Sequence, residues 1–268
     1  MTTKRETYRD HLARQPFGPA LEAYLLEHSG LPGRRANLEL AAALADHVRE
    51  RSAERATAYA ALETWASIDA EQAPTNSRRE YLPFCALQAL GAVYCAVDGR
   101  RRETIAARLR DAARNPRWRT REAACFGLQR VGEADRAELL RLLRAWPDPT
   151  PMELRAMLVA LAHPPLLEHA EVVDLALELA DQALRAIDAL DAGQQATEPW
   201  RVLRKGLEFA PSVFTAAAPA RGFEQLERWA RWENVQIKKI VAANLRKARL
   251  ARHFPDEVEA VGERLSSE

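Results

Sequence analysis

The stretch WRTREAACFGLQR, residues 118–130, aligns without gaps with VQIKKIVAANLRK, residues 235–247. In both, an apolar anchor opens the segment, a base follows three residues later, and an apolar pair comes two residues after the base. A third, shorter copy begins at Met152, 34 residues after the first, and has Arg155 in the position of the base. This length is typical of one helix pair, so the matched openings predict a repeating, all-α architecture.

The rest of the chain follows the same pattern, because Ala, Leu, Arg and Glu dominate it and alternating strand-like runs are nearly absent. Short turns marked by Pro or Gly, such as Asn115-Pro116 and His163-Pro164-Pro165, separate the helical runs and predict antiparallel neighbours. In the run 86–94, Gly91 is predicted to allow close approach of another helix. The helices are predicted at about 5–15, 18–28, 36–51, 53–68, 80–97, 100–114, 118–131, 134–145, 151–162, 170–190, 198–209, 221–231, 235–252 and 255–265.

The turn, apolar anchor, base and apolar pair together resemble the HEAT-repeat family. The resemblance implies an all-α fold: a right-handed superhelical solenoid of antiparallel helix pairs. We expect a single solenoid domain over residues 1–268. The HEAT-like repeats are clearest over 80–268, and the less regular helices of 1–70 are interpreted as an N-terminal cap.

Composition narrows the class of protein. Hydrophobic residues make up 47% of the 268 and charged residues 29%, and no uncharged apolar run reaches the ~18 residues of a membrane span. The first residues lack the apolar core of a secretory signal, so we expect a cytoplasmic protein without a membrane association. Cys85 and Cys125 stand in apolar helical contexts and are predicted to be buried thiols. A net charge of +1 argues against a uniformly basic nucleic-acid binder.

Catalytic motifs are absent from the sequence: it has no GxGxxG, P-loop, HExxH or GxSxG pattern. His163 and His169 flank a Pro-Pro turn rather than sharing a helix face, so neither a metal nor a cofactor is expected. The one weak catalytic candidate is Glu122, one helical turn after Trp118, because an aromatic beside a carboxylate can form a pocket for a cationic base. The ordinary interpretation is favoured, in which Trp118 anchors the repeat and Glu122 pairs with an arginine.

Basic residues give the stronger functional signal. They open several helices, and positions 239, 246 and 249 fall on roughly one face if 235–252 is one helix. Bases in register along a superhelix could track phosphates, and nearby tryptophans could stack on nucleobases. The alternative is that these are solvated faces balancing Asp and Glu. The candidate binding residues are Trp118, Arg121, Arg155, Trp200, Arg204, Lys238, Lys239, Arg246 and Arg249.

In length, all-α pattern and Trp/Arg content the chain is also similar to the bacterial alkylpurine DNA glycosylases, which are built from HEAT-like repeats. That resemblance implies DNA held on a concave basic face, with tryptophans, an Asp and an Arg near the damaged base. The catalytic Asp of that family has no match here. Glu122 is the nearest candidate and departs from the pattern, so the resemblance implies shared architecture more than shared activity.

Three hypotheses follow. The sequence favours a non-catalytic HEAT-like scaffold that holds a protein or polyanionic partner on a concave, partly basic face; a protein is the leading partner and DNA the alternative. The second hypothesis is a DNA-binding repair protein of the alkylpurine DNA glycosylase type. The third is a structural module that acts through oligomer contacts.

Overall fold

The structure, a computed structural model, describes residues 4–51 and 55–266. Within those ranges every regular element is a helix, which confirms the prediction of an all-α protein. Short 3-10 turns lie at Arg78–Glu80, Tyr94–Ala96 and Pro164–Leu166. The α-helices are α1 (Lys4–Leu12), α2 (Pro19–Glu27), α3 (Leu38–Glu50), α4 (Arg55–Ala66), α5 (Tyr81–Val93), α6 (Gly99–Ala113), α7 (Trp118–Ala134), α8 (Arg136–Arg144), α9 (Pro151–Leu161), α10 (Ala170–Asp188), α11 (Ala192–Gln195), α12 (Glu198–Leu207), α13 (Ala210–Ala217), α14 (Pro219–Ala230), α15 (Val235–Leu245), α16 (Ala248–Ala251) and α17 (Pro255–Ser266).

Polar side chains set where several helices begin. Asp98 accepts a hydrogen bond from the backbone N–H of Arg101 at the start of α6. Thr150 and Glu153 form a reciprocal capping box at the start of α9, with Pro151 in the first helical position. Asn234 accepts from the first-turn N–H groups of α15. These caps satisfy N–H groups that have no partner inside a helix, so the local sequence fixes the helix starts.

The chain divides into two compact units, Met1–Leu142 and Leu143–Glu268, with the boundary in the last turn of α8. A single solenoid domain over 1–268 with a cap at 1–70 therefore stays a prediction. None of the helices in the described part of the chain has both the length and the apolar run needed to cross a bilayer.

The first unit is built around α5, whose residues are all buried. Helices α3 and α7 pack on α5 along its length, while α2, α4 and α6 contact it as well. A helix surrounded in this way is expected to be apolar on every face, and YLPFCALQALGAV meets that expectation except at Gln88, whose amide donates to the carbonyl of Phe84. Contacts also run from α1 to α3, so α1, α3, α5 and α7 form one continuous layer.

Two glycines let α5 and α7 cross at backbone contact. A Cβ atom on Gly91 would overlap the carbonyl oxygen of Gly127. A Cβ atom on Gly127 would lie 2.7 Å from the carbonyl oxygen of Leu87. The prediction that Gly91 allows close helix approach is confirmed, and its partner on α7 is also a glycine.

Ion pairs join the helices of that layer at the surface. Asp46 of α3 is 4% exposed and accepts hydrogen bonds from Arg5 of α1 and, at 3.2 Å, from Arg130 of α7. One carboxylate therefore links three helices of the layer through arginines. The network satisfies a nearly buried charge, which would be costly if left alone.

The second unit packs α9 against α10 and α12, and α14 against α13, α15 and α17. The carboxylate of Asp181 on α10 accepts hydrogen bonds from the buried indole of Trp229 at 2.9 Å and from Arg228 at 2.9 Å. Asn244 on α15 is fully buried. Its side chain accepts from the N–H of Ser212 and donates to the carbonyl of Leu207. Polar contacts thus tie α10 to α14, and α15 to the start of α13.

Candidate functional site

Three arginines near the start of α7 are used inside the first unit. The guanidinium of Arg117 is 2% exposed and donates to the carbonyls of Ile68 (2.8 Å), Asp69 (3.0 Å) and Ala73 (3.1 Å). These carbonyls follow α4, so Arg117 ties the turn after α4 to the start of α7. The carbonyl of Asp69 also accepts from the backbone N–H of Ala73. Burial lowers the pKa of Arg117, and the carboxylates of Glu80 and Asp69 partly offset that effect.

Arg119 and Arg121 are buried in the same way. Arg119 forms an ion pair of 3.1 Å with Glu80, and both side chains are almost completely shielded from solvent. Arg121, a candidate binding residue, donates to the carbonyls of Asn115 (2.7 Å) and Pro116 (3.0 Å). Its guanidinium therefore holds the turn before α7, and only 7% of the residue is exposed.

The Trp118–Glu122 pair lies one helical turn apart on α7, as predicted. Trp118 is 44% exposed, and the guanidinium carbon of Arg119 lies 4.3 Å from the centroid of its ring. Glu122 is half-buried. An indole with nearly half its surface in solvent does not form the apolar enclosure that a catalytic carboxylate requires.

In the second unit, candidate residues on α9 and α12 contact residues of neighbouring helices. The side chain of Arg155 on α9 packs over Gly206, where an added Cβ atom would lie 2.9 Å from its Cγ. Arg204 on α12 donates to the side-chain oxygen of Gln236 on α15 at 3.0 Å. Trp200 is half-buried in the first turn of α12, and Arg201 and Lys205 on the same helix are exposed.

Residues 234–255 contain six bases and no acid. We call this stretch, which comprises α15, α16 and the turns around them, the α15–α16 basic segment. Lys239, Arg246 and Arg252 are exposed. In the part of the chain that the structure describes, these three side chains form no ion pair. The six bases are Lys238, Lys239, Arg246, Lys247, Arg249 and Arg252.

The prediction of one helix over 235–252 is wrong. Helix α15 ends at Leu245, Lys247 is extended with φ −70° and ψ 132°, and α16 begins at Ala248. Leu245 and Leu250 are both buried, although a spacing of five residues places them on different faces of one continuous helix. Because Lys247 is extended, α16 does not continue the helical rotation of α15, and both leucines face the core. Arg249 consequently does not share the helical face of Lys239 and Arg246.

An apolar groove lies beside Arg249. The sequence patterns did not predict it. It has a volume of about 630 Å³, and its apolar walls include Leu167, Phe209, Val213 and Ala217. Much of it is formed by α13, which the sequence did not predict. The signal for α13 was weak. Pro211 in the first turn is typical of a helix start, but Ser212, Val213, Phe214 and Thr215 after it are poor helix formers.

The candidate residues are thus divided between the units. Trp118, Arg121 and Glu122 belong to the first unit, whereas Arg155, Trp200, Arg204, Lys238, Lys239, Arg246 and Arg249 belong to the second. A common groove lined by Arg121, Arg155 and Lys238 stays a prediction. In the described residues, no group of three His, Cys, Asp or Glu side chains is placed to hold a metal ion.

Comparison with protein-family models and with curated proteins finds no match to this chain. The site is therefore interpreted from its own geometry and charge.

Proposed function

We propose that this chain is a non-catalytic, HEAT-like α-solenoid scaffold that binds a polyanionic partner through the α15–α16 basic segment. The observation that carries the proposal is the run of six bases without an acid, in which Lys239, Arg246 and Arg252 are exposed and form no ion pair with any described residue. A surface of uncompensated bases attracts a polyanion and releases its counterions. The exposed Arg201 and Lys205 of α12 contribute further positive charge to the surface of the same unit.

The continuous layer of α1, α3, α5 and α7, with α4 and α6 packed beside it, supports the solenoid part of the proposal. Stacked helix pairs bring alternate helices into contact in this way, because each pair buries its apolar face against the next. The cytoplasmic location stays part of the proposal.

The non-catalytic part rests on the surroundings of Glu122. Its neighbour Trp118 is exposed, and Arg121 is occupied with backbone carbonyls. Glu122 therefore stands beside an exposed indole rather than in an apolar enclosure. A repair enzyme of the alkylpurine glycosylase type needs a carboxylate placed against the damaged base, and these contacts favour the scaffold over that alternative.

The test measures binding of the full chain to a labelled 20-bp duplex DNA and to labelled heparin over about 50–300 mM NaCl. Neutralising Lys239, Arg246 and Arg252 with glutamine should weaken binding at least tenfold at ~100 mM salt. For DNA, each lost phosphate contact lowers the salt slope by about 0.9. The matched control replaces Arg34, Arg79 and Arg100, which are exposed bases of the first unit, and should bind like the native chain.

Two results would overturn the proposal. One is the absence of binding to either polyanion at ~50 mM salt, where electrostatic affinity is strongest. The other is equal weakening by the test and control variants, since this would assign the binding to net charge rather than to the α15–α16 basic segment. Release of an alkylated base from duplex DNA that is lost in Glu122→Gln would replace the scaffold with the repair enzyme.

A further inference from the structure

The groove beside α13 contains an apolar floor and a base, Arg249, that forms no ion pair with any described residue. Its volume of about 630 Å³ lies in the range of ligand sites. Leu167 is buried at the floor, while Phe209 and Val213 are half-buried and Ala217 is exposed on the walls. These side chains are aliphatic apart from Phe209. An apolar surface left partly open in this way is a place where an apolar group of a partner can be buried.

The rim of this groove carries one basic and one acidic side chain. Arg249 is exposed, and its guanidinium donates to a neutral group, the Oγ atom of Ser212, at 3.2 Å. Glu168, also exposed, lines the groove from the turn after α9. A ligand with an apolar body and a negative charge at one end therefore fits the groove only with its negative end toward Arg249.

The base at the rim belongs to the α15–α16 basic segment. Arg246 and Arg252 stand three residues to either side of Arg249, so each is within about 11 Å of it along the chain. An acidic chain that binds these bases would pass the mouth of the groove. One extended partner can thus use both surfaces at the same time.

The walls favour a peptide over a nucleic acid as that partner. Nucleobases are bound by stacking on aromatic rings or guanidinium planes and by hydrogen bonds to their polar edges. Here the walls are short aliphatic side chains with one phenyl ring, which complement the side chain of Leu, Ile or Phe. Peptide recognition by anchoring apolar side chains in a groove, with charges around them, is a common mode of binding.

We infer that the polyanionic partner is an acidic protein segment whose apolar side chains are buried in the α13 groove while its carboxylates contact Arg249 and the neighbouring bases. This inference rests on the proposed function, because it uses the same basic segment. It adds the class of partner and the anchoring site.

The experiment uses the full chain and two fluorescein-labelled, acidic 12-residue peptides of equal charge, one with a central Leu-Phe pair and one with Ser-Ser in its place. The Leu-Phe peptide should bind at least tenfold more tightly at ~100 mM NaCl, because one buried apolar side chain contributes about that much. Ala217→Trp fills the groove from an exposed position and should remove this difference. Binding of the Ser-Ser peptide should stay as in the native chain.

A second pair of variants removes a positive charge from the rim in one case and a negative charge in the other. Arg249→Gln should weaken binding of the Leu-Phe peptide about three- to tenfold, whereas Glu168→Gln should strengthen it, since a charge of the same sign as the peptide is removed from the lining. Ala217→Glu should weaken binding of the Leu-Phe peptide, because the new carboxylate at the groove mouth repels the acidic peptide. Thermal unfolding of each variant, followed by circular dichroism, checks that it is folded.

The outcomes separate this inference from the proposed function. Equal affinities for the two peptides, together with salt-dependent heparin binding that is lost in the Lys239, Arg246 and Arg252 variant, would reject the groove and keep the basic segment. Loss of all polyanion binding would reject both. The choice of partner would be overturned if a single-stranded DNA bound more tightly than either peptide and lost that affinity in Ala217→Trp. That result would assign the groove to nucleic acid.

Discussion

At the scale of single residues, the structure depends on positions where no side chain, or one specific side chain, fits. Gly91 and Gly127 lie at the crossing of α5 and α7, where a Cβ atom on either would meet backbone of the other helix. Backbone cannot move aside as a flexible side chain can. The buried Arg117 is the opposite case, since its guanidinium satisfies three carbonyls that no smaller side chain reaches.

We predict that Gly91→Ala destabilises the protein by about 2 kcal/mol in urea unfolding. Alanine favours a helix over glycine by about 1 kcal/mol, but overpacking of a core costs about 1–3 kcal/mol or more, and here the added atom meets backbone. Gly262→Ala is the matched control, because nothing lies within 4 Å of a Cβ atom at that position of α17. It should stabilise by up to about 1 kcal/mol. The same sign for both substitutions would contradict the close crossing.

At the scale of helices, polar side chains join neighbours as specifically as apolar packing does. Asp181 on α10 receives the indole N–H of Trp229 and the guanidinium groups of Arg185 and Arg228. Burial alone would raise the pKa of Asp181, but the hydrogen bonds from Trp229 and Arg185 and the charge of Arg228 outweigh it and hold the pKa below its ordinary value. The charged form is therefore favoured in the folded state.

A lowered pKa makes the contribution of Asp181 depend on pH in a definite direction. The stabilisation is present above the ordinary pKa of an aspartate, near pH 4, and is lost as the pH falls through the lower value of the folded state. We predict that Asp181→Asn costs about 1–3 kcal/mol at pH 7, and that the difference from the native chain shrinks as the pH falls from 7 to below about 4. Urea unfolding across this pH range measures both.

Asp174 on the same helix supplies the control. It also pairs with an arginine of α14, Arg221, but both side chains are about half exposed. Exposed ion pairs contribute about 0–1 kcal/mol, so Asp174→Asn should change stability little at any pH. If both substitutions had the same effect, the hydrogen bond from Trp229 would not be the cause.

At the scale of the whole molecule, contacts are concentrated within residues 1–142 and within residues 143–268. A substitution that loosens one unit should therefore leave the local stability of the other unchanged. We predict that hydrogen exchange in Gly91→Ala speeds up in α3, α5 and α7 while α10 and α14 stay protected, and that Asp181→Asn gives the reverse pattern. Mass spectrometry of peptides after exchange measures both units in one experiment. Faster exchange throughout the chain in either variant would show that the units open together.

The sequence was sufficient for the fold class and for most helices, because composition and Pro-marked turns act locally. Helix α7, for example, was predicted at 118–131 and spans 118–134. The sequence was not sufficient for the use made of its arginines. Arg117 and Arg119 are among the bases that open helices, yet their partners lie in segments 39–86 residues away in the chain. Pairing at that distance is decided by the packing of helices, which no local pattern contains.

At the candidate site, the sequence shows the charge of the segment but not its local structure. The absence of acids over 234–255 is visible in the sequence, and the structure leaves three of those bases exposed. The break at Lys247 was not predicted, because each residue around it is a good helix former and the burial of Leu250 alone demands the change of phase. The groove beside α13 depends on that break, since Arg249 reaches Ser212 from the short helix that follows it.

The enclosure of α5 also governs the sulfhydryl chemistry of the chain. Cys85 is on α5 and Cys125 is on the helix packed against it, and both thiols are buried, as the sequence predicted. Burial raises the pKa of the Cys85 thiol and so suppresses the thiolate that alkylating reagents attack. Cys95, half-buried after α5, is the more accessible of the three. Since all cysteines of the sequence precede residue 143, covalent thiol modification is a chemical property of the first unit alone.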